Sequence, residues 1–353
     1  MKTKKMLSGL LCLSLCLSML CGCGKQAPSA PSGEASSAEN TSGASALEEQ
    51  SAEMPVGFDK ANINWIVPAA AGSAIDLVTR GAADAVGKDM GANIVVENLA
   101  GASQTVGAAE FSIREASGRN ILTMANACYF TQPLLNDLTY NITDWRPICN
   151  LAPPSYCCVA VKTGSELTDA ETWIEKLKSG NFTYGFANSA SIGHLAALQA
   201  LEAFGAGEGT AVVYNGSPEL TAAVLSGEID FAVMEDNVLL NYVQSGEMAA
   251  VMTCTTEPHA YFPDVACIGE YDAQFVPICG VKCAAVLQDT PPTEAEWVQR
   301  QLNQALASDS YQEYLESNGY SRMEIMTEED LTAWLADLSA VAKDVMQKAK
   351  LIG

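Results

Sequence analysis

The amino-acid sequence predicts an α/β fold in which parallel sheets carry helices on both faces. Two observations support this prediction. Short apolar segments alternate regularly with amphipathic helical segments after residue 58, which is the pattern of strand–helix–strand units. The chain beyond that residue is also long enough for two α/β domains or one large one.

Seven short apolar segments are predicted to be strands, with helices between them. They are residues 63–68, 93–98, 120–125, 182–186, 210–214, 229–234 and 248–253. The first helix places Val78, Ala82 and Val86 on one face and should end near Gly91. The tail is predicted to be helical from Thr293, with capping boxes at 293–296 and 327–330.

The amino terminus has the features of an export signal. Residues 1–5 are basic and residues 6–20 are apolar and uncharged. As a helix the apolar run would measure roughly 22 Å, which is too short for a bilayer core of about 30 Å. We therefore expect a signal peptide over residues 1–22. The stretch Leu-Cys-Gly-Cys at residues 20–23 resembles a bacterial lipobox, which predicts lipidation of Cys23; an ordinary secretory signal is the alternative.

A tether is predicted over residues 23–57, because this stretch is dominated by Ser, Ala, Gly, Glu and Pro. The whole chain has 42 acidic and 19 basic residues and a formal net charge of −23. Binding to nucleic acid or to anionic lipid requires clustered Lys or Arg, so the charge speaks against both.

The cysteines beyond the tether do not form a metal-binding pattern. They are Cys128, Cys149, Cys157, Cys158, Cys254, Cys267, Cys279 and Cys283. Several lie in apolar, strand-like runs, where a free thiol packs as a small hydrophobic group. We expect mostly buried free thiols and no zinc site, although an exported protein also permits disulfides.

Three strand-to-helix turns share one design, with small or hydroxyl residues where the helix begins. They occupy residues 68–76, 187–194 and 215–218. Unpaired N–H groups and a positive dipole make a helix start favourable for anions, and ligands of α/β sheets lie beyond the carboxyl ends of strands. The alternative is plain capping, with Ser73 and Asp76 as a capping box and Ser217 as a cap before Pro218.

Motifs for catalysis are lacking. The sequence has no Gly-x-Ser-x-Gly, Walker A, Gly-x-Gly-x-x-Gly or His-Glu-x-x-His motif, and it has two histidines. A Ser189 or Ser191 nucleophile paired with His194 is disfavoured, because residues this close at one helix start rarely meet as nucleophile and base. We expect His194 to hydrogen-bond its own turn, and we predict no catalytic residue, metal or cofactor.

Four motifs occur in a fixed order along the chain. Residues 67–76 read Val-Pro-Ala-Ala-Ala-Gly-Ser-Ala-Ile-Asp, and residues 95–108 read Val-Val-Glu-Asn-Leu-Ala-Gly-Ala-Ser-Gln-Thr-Val-Gly-Ala. Residues 189–195 read Ser-Ala-Ser-Ile-Gly-His-Leu, and Tyr-Asn-Gly at 214–216 precedes Leu-Ser-Gly-Glu-Ile-Asp at 225–230. In this order the motifs resemble those of the solute receptors of tripartite tricarboxylate transporters, the Bug receptor family. The resemblance runs from about residue 63 to the end of the chain.

The resemblance implies a two-lobed fold of the type II periplasmic-binding-protein class, with a ligand cleft between the lobes. Lobe 1 would comprise residues 58–158 and 276–353, and lobe 2 residues 159–275. Ser73, Gln104 and Ile192 stand where the family has smaller residues. The ligand-binding residues implied are Ala71, Gly72, Ser73, Asp76, Asn126, Asn188, Ser189, Ser191, His194, Asn215, Gly216 and Asp236.

The function implied is capture of a small carboxylate-bearing solute: a di- or tricarboxylate, an aromatic acid or an amino acid. No Lys or Arg lies inside the three turns, so a carboxylate would bind to backbone N–H groups and hydroxyls. Asp76 or Asp236 would suit a ligand that also carries a positive group. The family resemblance implies a receptor that delivers its solute to membrane permease subunits, and the predicted signal peptide and lipobox place it outside the cytoplasm on a lipid anchor. We expect a monomer; a sensory or protein-binding lipoprotein is the alternative function.

Overall fold

The computed structural model describes residues 54–56, 58, 62–206 and 209–353. The predicted signal peptide, Cys23 and almost all of the predicted tether lie outside these residues. Within the part of the chain that the structure describes, no helix is long and apolar enough to cross a membrane.

In the part of the chain that the structure describes, ten strands form two five-stranded sheets. The first sheet has the order β2-β1-β3-β10-β4. Its strands are β1 (Asn62–Val67), β2 (Asn93–Asn98), β3 (Asn120–Ala125), β4 (Trp145–Asn150) and β10 (Lys282–Leu287). The second sheet has the order β7-β6-β8-β5-β9. Its strands are β5 (Cys157–Lys162), β6 (Thr183–Ala187), β7 (Thr210–Tyr214), β8 (Phe231–Glu235) and β9 (Met248–Thr253).

Helices connect the strands and cover the sheets. They are α1 (Ala74–Met90), α2 (Thr105–Ser112), α3 (Gln132–Leu135), α4 (Ala170–Ser179), α5 (Ile192–Ala203), α6 (Ser217–Ser226), α7 (Asp236–Gln244), α8 (Pro292–Leu306), α9 (Asp309–Ser317) and α10 (Glu328–Lys348). A single π-helical turn at Ala127–Thr131 precedes α3. The predicted α/β class is therefore confirmed.

Each sheet is mixed, whereas the sequence predicted parallel sheets. Strand β10 runs antiparallel to β3 and β4, and β5 runs antiparallel to β8 and β9. These are the two strands by which the chain enters one sheet directly from the other: β5 follows β4, and β10 follows β9. A strand that arrives without a helical crossover has no requirement to run parallel to its neighbours.

The helix ends follow the predicted caps in part. Gly91 ends α1 in the left-handed conformation (φ 59°), and Thr327 caps α10 by accepting a hydrogen bond from the backbone N–H of Asp330. The predicted box at Thr293 is wrong, because α8 already begins at Pro292. A proline is preorganised for the first helical position, so Thr293 falls inside the first turn. The predicted cap at Ser217 is also wrong: Gly216 caps α6, and Ser217 is its first residue.

Apolar residues of both sheets share a core with the carboxyl-terminal helix. Leu331, Leu335, Leu338 and Ala342 of α10 are buried in the same apolar cluster as residues of the two sheets, and α10 packs against β4 and α5. The eight cysteines of the folded part are buried and free, as the apolar runs around them predicted. Two of those runs are β5 and β10 themselves.

Substitution of Thr327 by alanine should lower the free energy of unfolding by about 1 kcal/mol, because α10 loses the cap of its first turn. Thr293→Ala is a matched control: Thr293 is also an exposed threonine at a helix start, but it does not cap α8. Its effect should stay within about 0.5 kcal/mol. Urea unfolding of both variants measures the difference, and equal losses would contradict the assignment of the caps.

Candidate functional site

A cavity of about 570 Å³ lies between the turns that follow strands of the two sheets. Its walls are formed by residues 68–70 and 74–75 after β1, 100–104 after β2, Asn126, Ala127 and Gln132 after β3, 188–192 after β6, Glu235 at the end of β8, and Lys282 on β10. The walls therefore come mostly from the carboxyl ends of parallel strands, where ligands of open α/β sheets bind. Its volume falls in the range of small-molecule sites.

The wall from the second sheet is the start of α5. Ser191 caps this helix, and its Oγ accepts a hydrogen bond from the backbone N–H of His194 at 3.2 Å. The N–H groups of Ile192 and Gly193 have no acceptor among the described residues. The predicted residues Asn188, Ser189 and Ser191 line the cavity here together with Ile192, whereas Gly193 does not. The start of α5, with the two N–H groups that lack an acceptor, therefore forms this wall of the cavity.

His194 lies behind this turn and does not line the cavity. Its ring stacks on Phe186 with a centroid distance of 4.0 Å, and its Nδ1 accepts a hydrogen bond from the backbone N–H of Ala190 at 3.0 Å. Burial lowers the pKa of His194 from 6.5 to about 4, so the ring is neutral at pH 7. The sequence predicted a partner for the turn, and the bond to Ala190 is that contact.

The wall after β2 has a strained backbone. Ala102, Ser103 and Gln104 are three successive non-glycine residues with positive φ, at 41°, 50° and 75°. Asn188 and Ala190 in the opposite wall also have positive φ, at 60° and 55°. Non-glycine residues in this region cost of order 1 kcal/mol or more, and such strain clusters at functional sites.

Two amide side chains of this cavity have structural partners. Gln104 Oε1 accepts a hydrogen bond from the backbone N–H of Cys128 at 3.1 Å. Asn126 donates through Nδ2 to the carbonyl of Cys279 and accepts through Oδ1 from the N–H of Val281. Asn126 therefore ties the end of β3 to the segment that leads into β10, and these two bonds leave one N–H and one oxygen lone pair of its amide for other partners.

Asp76 is buried below the first turn and organises it. Its carboxylate accepts hydrogen bonds from the N–H of Gly72, from Asn98 Nδ2 and from Arg80 Nε, at 2.7, 2.8 and 3.0 Å. Burial raises the pKa of Asp76, but these hydrogen bonds outweigh burial and leave the pKa below its usual value. Ser73 caps α1 beside it. Ala71, Gly72, Ser73 and Asp76 are not among the residues that line the cavity, and their role in binding stays a prediction.

The remaining predicted residues lie elsewhere. Asn215 and Gly216 form the start of α6 and do not line the cavity, and the N–H of Asn215 donates to Glu219. Asp236 lines a separate cavity of about 250 Å³. There its Oδ2 is 3.0 Å from His259 Nε2 and accepts a hydrogen bond from the N–H of Tyr156 at 3.0 Å.

The sequence reasoning missed two ionisable residues of the cavity, Glu235 and Lys282. Lys282 stands alone in an apolar run, and a lysine is almost never fully buried without a partner, so its position was a usable signal. Glu235 is the last residue of the apolar strand β8 and satisfies the same rule that selected the three turns, because it lies at the carboxyl end of a strand. Within the described residues, no cluster of His, Cys, Asp and Glu could hold a metal ion.

Comparison with known proteins gives one family. Residues 78–351 match the profile described as the tripartite tricarboxylate transporter family receptor. A UPF0065 protein of Bordetella bronchiseptica is 25% identical over 215 residues, which span 59% of this chain and 62% of that protein. The match thus covers less than two thirds of that relative.

Solved structures share the fold. A Rhodopseudomonas palustris protein with adipate superposes with a TM-score of 0.72 at 18% identity, covering 82% of this chain and 97% of that one. MatC from the same organism, with bound malate, gives a TM-score of 0.67 at 17% identity, covering 83% and 99%. At these identities the likeness concerns the fold alone, and it confirms the predicted α/β fold of the periplasmic-binding-protein type, whereas the division into two lobes stays a prediction.

Replacement of Ala102 by glycine should raise the free energy of unfolding by about 0.5–1 kcal/mol, because glycine adopts positive φ without steric cost. The matched control is Ala109→Gly in the interior of α2, where glycine should lower that free energy by about 0.5–1 kcal/mol. Denaturant unfolding at pH 7 checks both signs. Destabilisation by both substitutions would contradict the strain assigned to Ala102.

The lowered pKa of His194 predicts a pH dependence of stability. The unfolded chain takes up the proton with a pKa near 6.5 and the folded chain near 4. The unfolded state therefore binds more protons in this window, and stability falls as the pH is lowered through it. His194→Asn should lose less stability than the wild type between pH 7.5 and pH 5 in urea unfolding. Any cost of the substitution that does not depend on pH cancels when the two losses of unfolding free energy are compared. Identical losses in the wild type and the variant would contradict the effect of burial on the pKa of His194.

Proposed function

We propose that this chain, which belongs to the tripartite tricarboxylate transporter receptor family, captures a small carboxylate-bearing solute in the cavity between its two sheets. The observation that carries the proposal is the convergence of turns from both sheets on one cavity of about 570 Å³. Malate and adipate, the molecules found in two solved proteins of this fold, are both carboxylates of a size that such a cavity accepts.

The start of α5 is the proposed position of the solute carboxylate. The N–H groups of Ile192 and Gly193 are unpaired within the described residues, and the positive end of the helix dipole favours an anion there. Hydrogen bonds to a charged group contribute about 1.5–3 kcal/mol each. Several of them in a closed cleft are enough for micromolar binding, which corresponds to about 8 kcal/mol.

The proposed action is capture by closure rather than chemistry. The predicted lobes, residues 58–158 with 276–353 and residues 159–275, would approach each other around the ligand. The strand membership of the sheets supports this division, apart from β5, which begins at Cys157 and lies in the second sheet. No step of the proposal requires a nucleophile, so the protein would bind its solute unchanged.

Delivery to membrane permease subunits is proposed on the family relationship. An extracytoplasmic location fits the signal-like residues 1–22, and lipidation at Cys23 would keep a monomeric receptor close to the membrane and raise its local concentration near a permease. A sensory or protein-binding role with the same ligand cavity is the second candidate. If this role is correct, the protein should bind the solute, but membranes that contain the permease should not take the solute up.

Ser191→Asp tests the position of the carboxylate. Aspartate caps a helix as well as serine does, so α5 should stay folded, but the new negative charge would occupy the anion position. A solute acid that binds the wild type should bind at least tenfold more weakly to this variant in calorimetry. The matched control is Ser308→Asp, which places the same charge at the cap of α9, outside the cavity. Unchanged binding to Ser191→Asp would refute the site.

A further inference from the structure

The cavity contains two ionisable side chains, Glu235 and Lys282. They come from different sheets, since Glu235 ends β8 and Lys282 begins β10. The cavity therefore holds one acid and one base, and the accessibility of each decides which charge a solute meets.

The ammonium group of Lys282 is committed to groups of the protein. Its side chain is 5% exposed, and Nζ lies 3.4 Å from Ser155 Oγ and 4.0 Å from Glu235 Oε2. Nζ also lies over the ring of Tyr320, 5.1 Å from its centroid. Burial opposes the charged form, but Tyr320 and Glu235 raise the pKa of Lys282 above its usual value. Lys282 is thus charged, and its buried ammonium group lies beside protein groups that include Glu235, so the solute has little access to it.

The carboxylate of Glu235 is the more accessible group. Its side chain is 32% exposed, and Oε2 accepts a hydrogen bond from Ser155 Oγ at 2.8 Å. Oε1 accepts no hydrogen bond from the described residues. Glu235 is also the residue before the first turn of α7, where the helix dipole favours a negative charge. A solute in the cavity therefore meets a fixed carboxylate with one free oxygen.

The chain path brings Glu235 and the start of α5 to the same wall. Gly193 of α5 packs against β8 so closely that a Cβ there would lie 2.8 Å from the carbonyl oxygen of Val233. Glu235 follows two residues later on the same strand and lines the same cavity as Ser191 and Ile192. The proposed anion site and a carboxylate thus line the same cavity.

We propose that Glu235 binds an ammonium group of the solute, and that the solute is an amino acid or a related zwitterion. The solute carboxylate would lie at the start of α5, so this inference rests on the proposed function. A second carboxylate near Glu235 would meet a like charge in a partly desolvated site, which disfavours plain dicarboxylates. Glu235 is in this sense the specificity-determining residue, because it separates an amino acid from its deaminated analogue.

The test is calorimetry with matched pairs of acids: L-glutamate with glutarate, L-aspartate with succinate, and L-leucine with 4-methylpentanoate. We expect the wild type to bind the amino acid of at least one pair at least tenfold more tightly than its partner. Glu235→Gln keeps the side-chain shape and an oxygen for Ser155, and it should lose this preference by at least tenfold. The control is Glu247→Gln, which neutralises an exposed glutamate outside the cavity and should keep the preference.

The outcomes separate the two proposals. Equal affinity within every pair, preference for the deaminated acids, or a preserved preference in Glu235→Gln would overturn the role of Glu235 and leave the receptor function standing. If no acid bound to the wild type, the proposed function would be overturned, and this inference with it. The comparison within the wild type needs no variant, so poor folding of Glu235→Gln cannot obscure the result.

Discussion

Two backbone hydrogen bonds hold together the segments by which the chain passes between the sheets. The N–H of Ser155 donates to the carbonyl of Gly280 at 3.1 Å, and the N–H of Gly280 donates to the carbonyl of Ser155 at 2.6 Å. Any side chain at position 280 would collide with Ser155 Oγ, so the close approach requires glycine. The same hydroxyl donates to Glu235 and accepts from Lys282. Ser155 and Gly280 therefore link the two sheets. Through the Ser155 hydroxyl, the same pair also positions the two charged side chains of the cavity.

The carboxyl-terminal helix is a second link between the sheets. Near its start Glu328 accepts two hydrogen bonds from Arg146 of β4, at 2.7 and 2.8 Å, and near its end Lys348 pairs with Glu202 of α5 at 3.0 Å. The pair of Arg146 and Glu328 is bidentate and partly buried, which makes its hydrogen bonds strong and fixes their geometry. The pair of Lys348 and Glu202 is exposed and contributes little to stability. The ion pair of α10 with β4 therefore contributes more to stability than its ion pair with α5.

The sequence was sufficient for features that depend on local chemistry. Apolar runs predicted seven of the ten described strands, and Gly91 and Thr327 marked helix ends. Of the three predicted turns, the one at residues 187–194 contributes residues 188–192 to the wall of the cavity. The sequence was insufficient where distant segments decide the outcome. The antiparallel direction of β5 and β10 follows from passage between sheets, and Asp76 is occupied by Asn98 and Arg80, contacts that no spacing rule reveals. Glu235 and Lys282 carry the charges of the cavity, yet neither lies in a motif.

The central claim is that one cavity between the sheets holds a solute by its carboxylate. A crystal structure of the protein with the tightest-binding acid tests this claim most directly. The account predicts carboxylate oxygens within hydrogen-bonding distance of the N–H groups of Ile192 or Gly193. An acid bound instead in the cavity beside Asp236 and His259, with the space at the start of α5 filled by water, would contradict it.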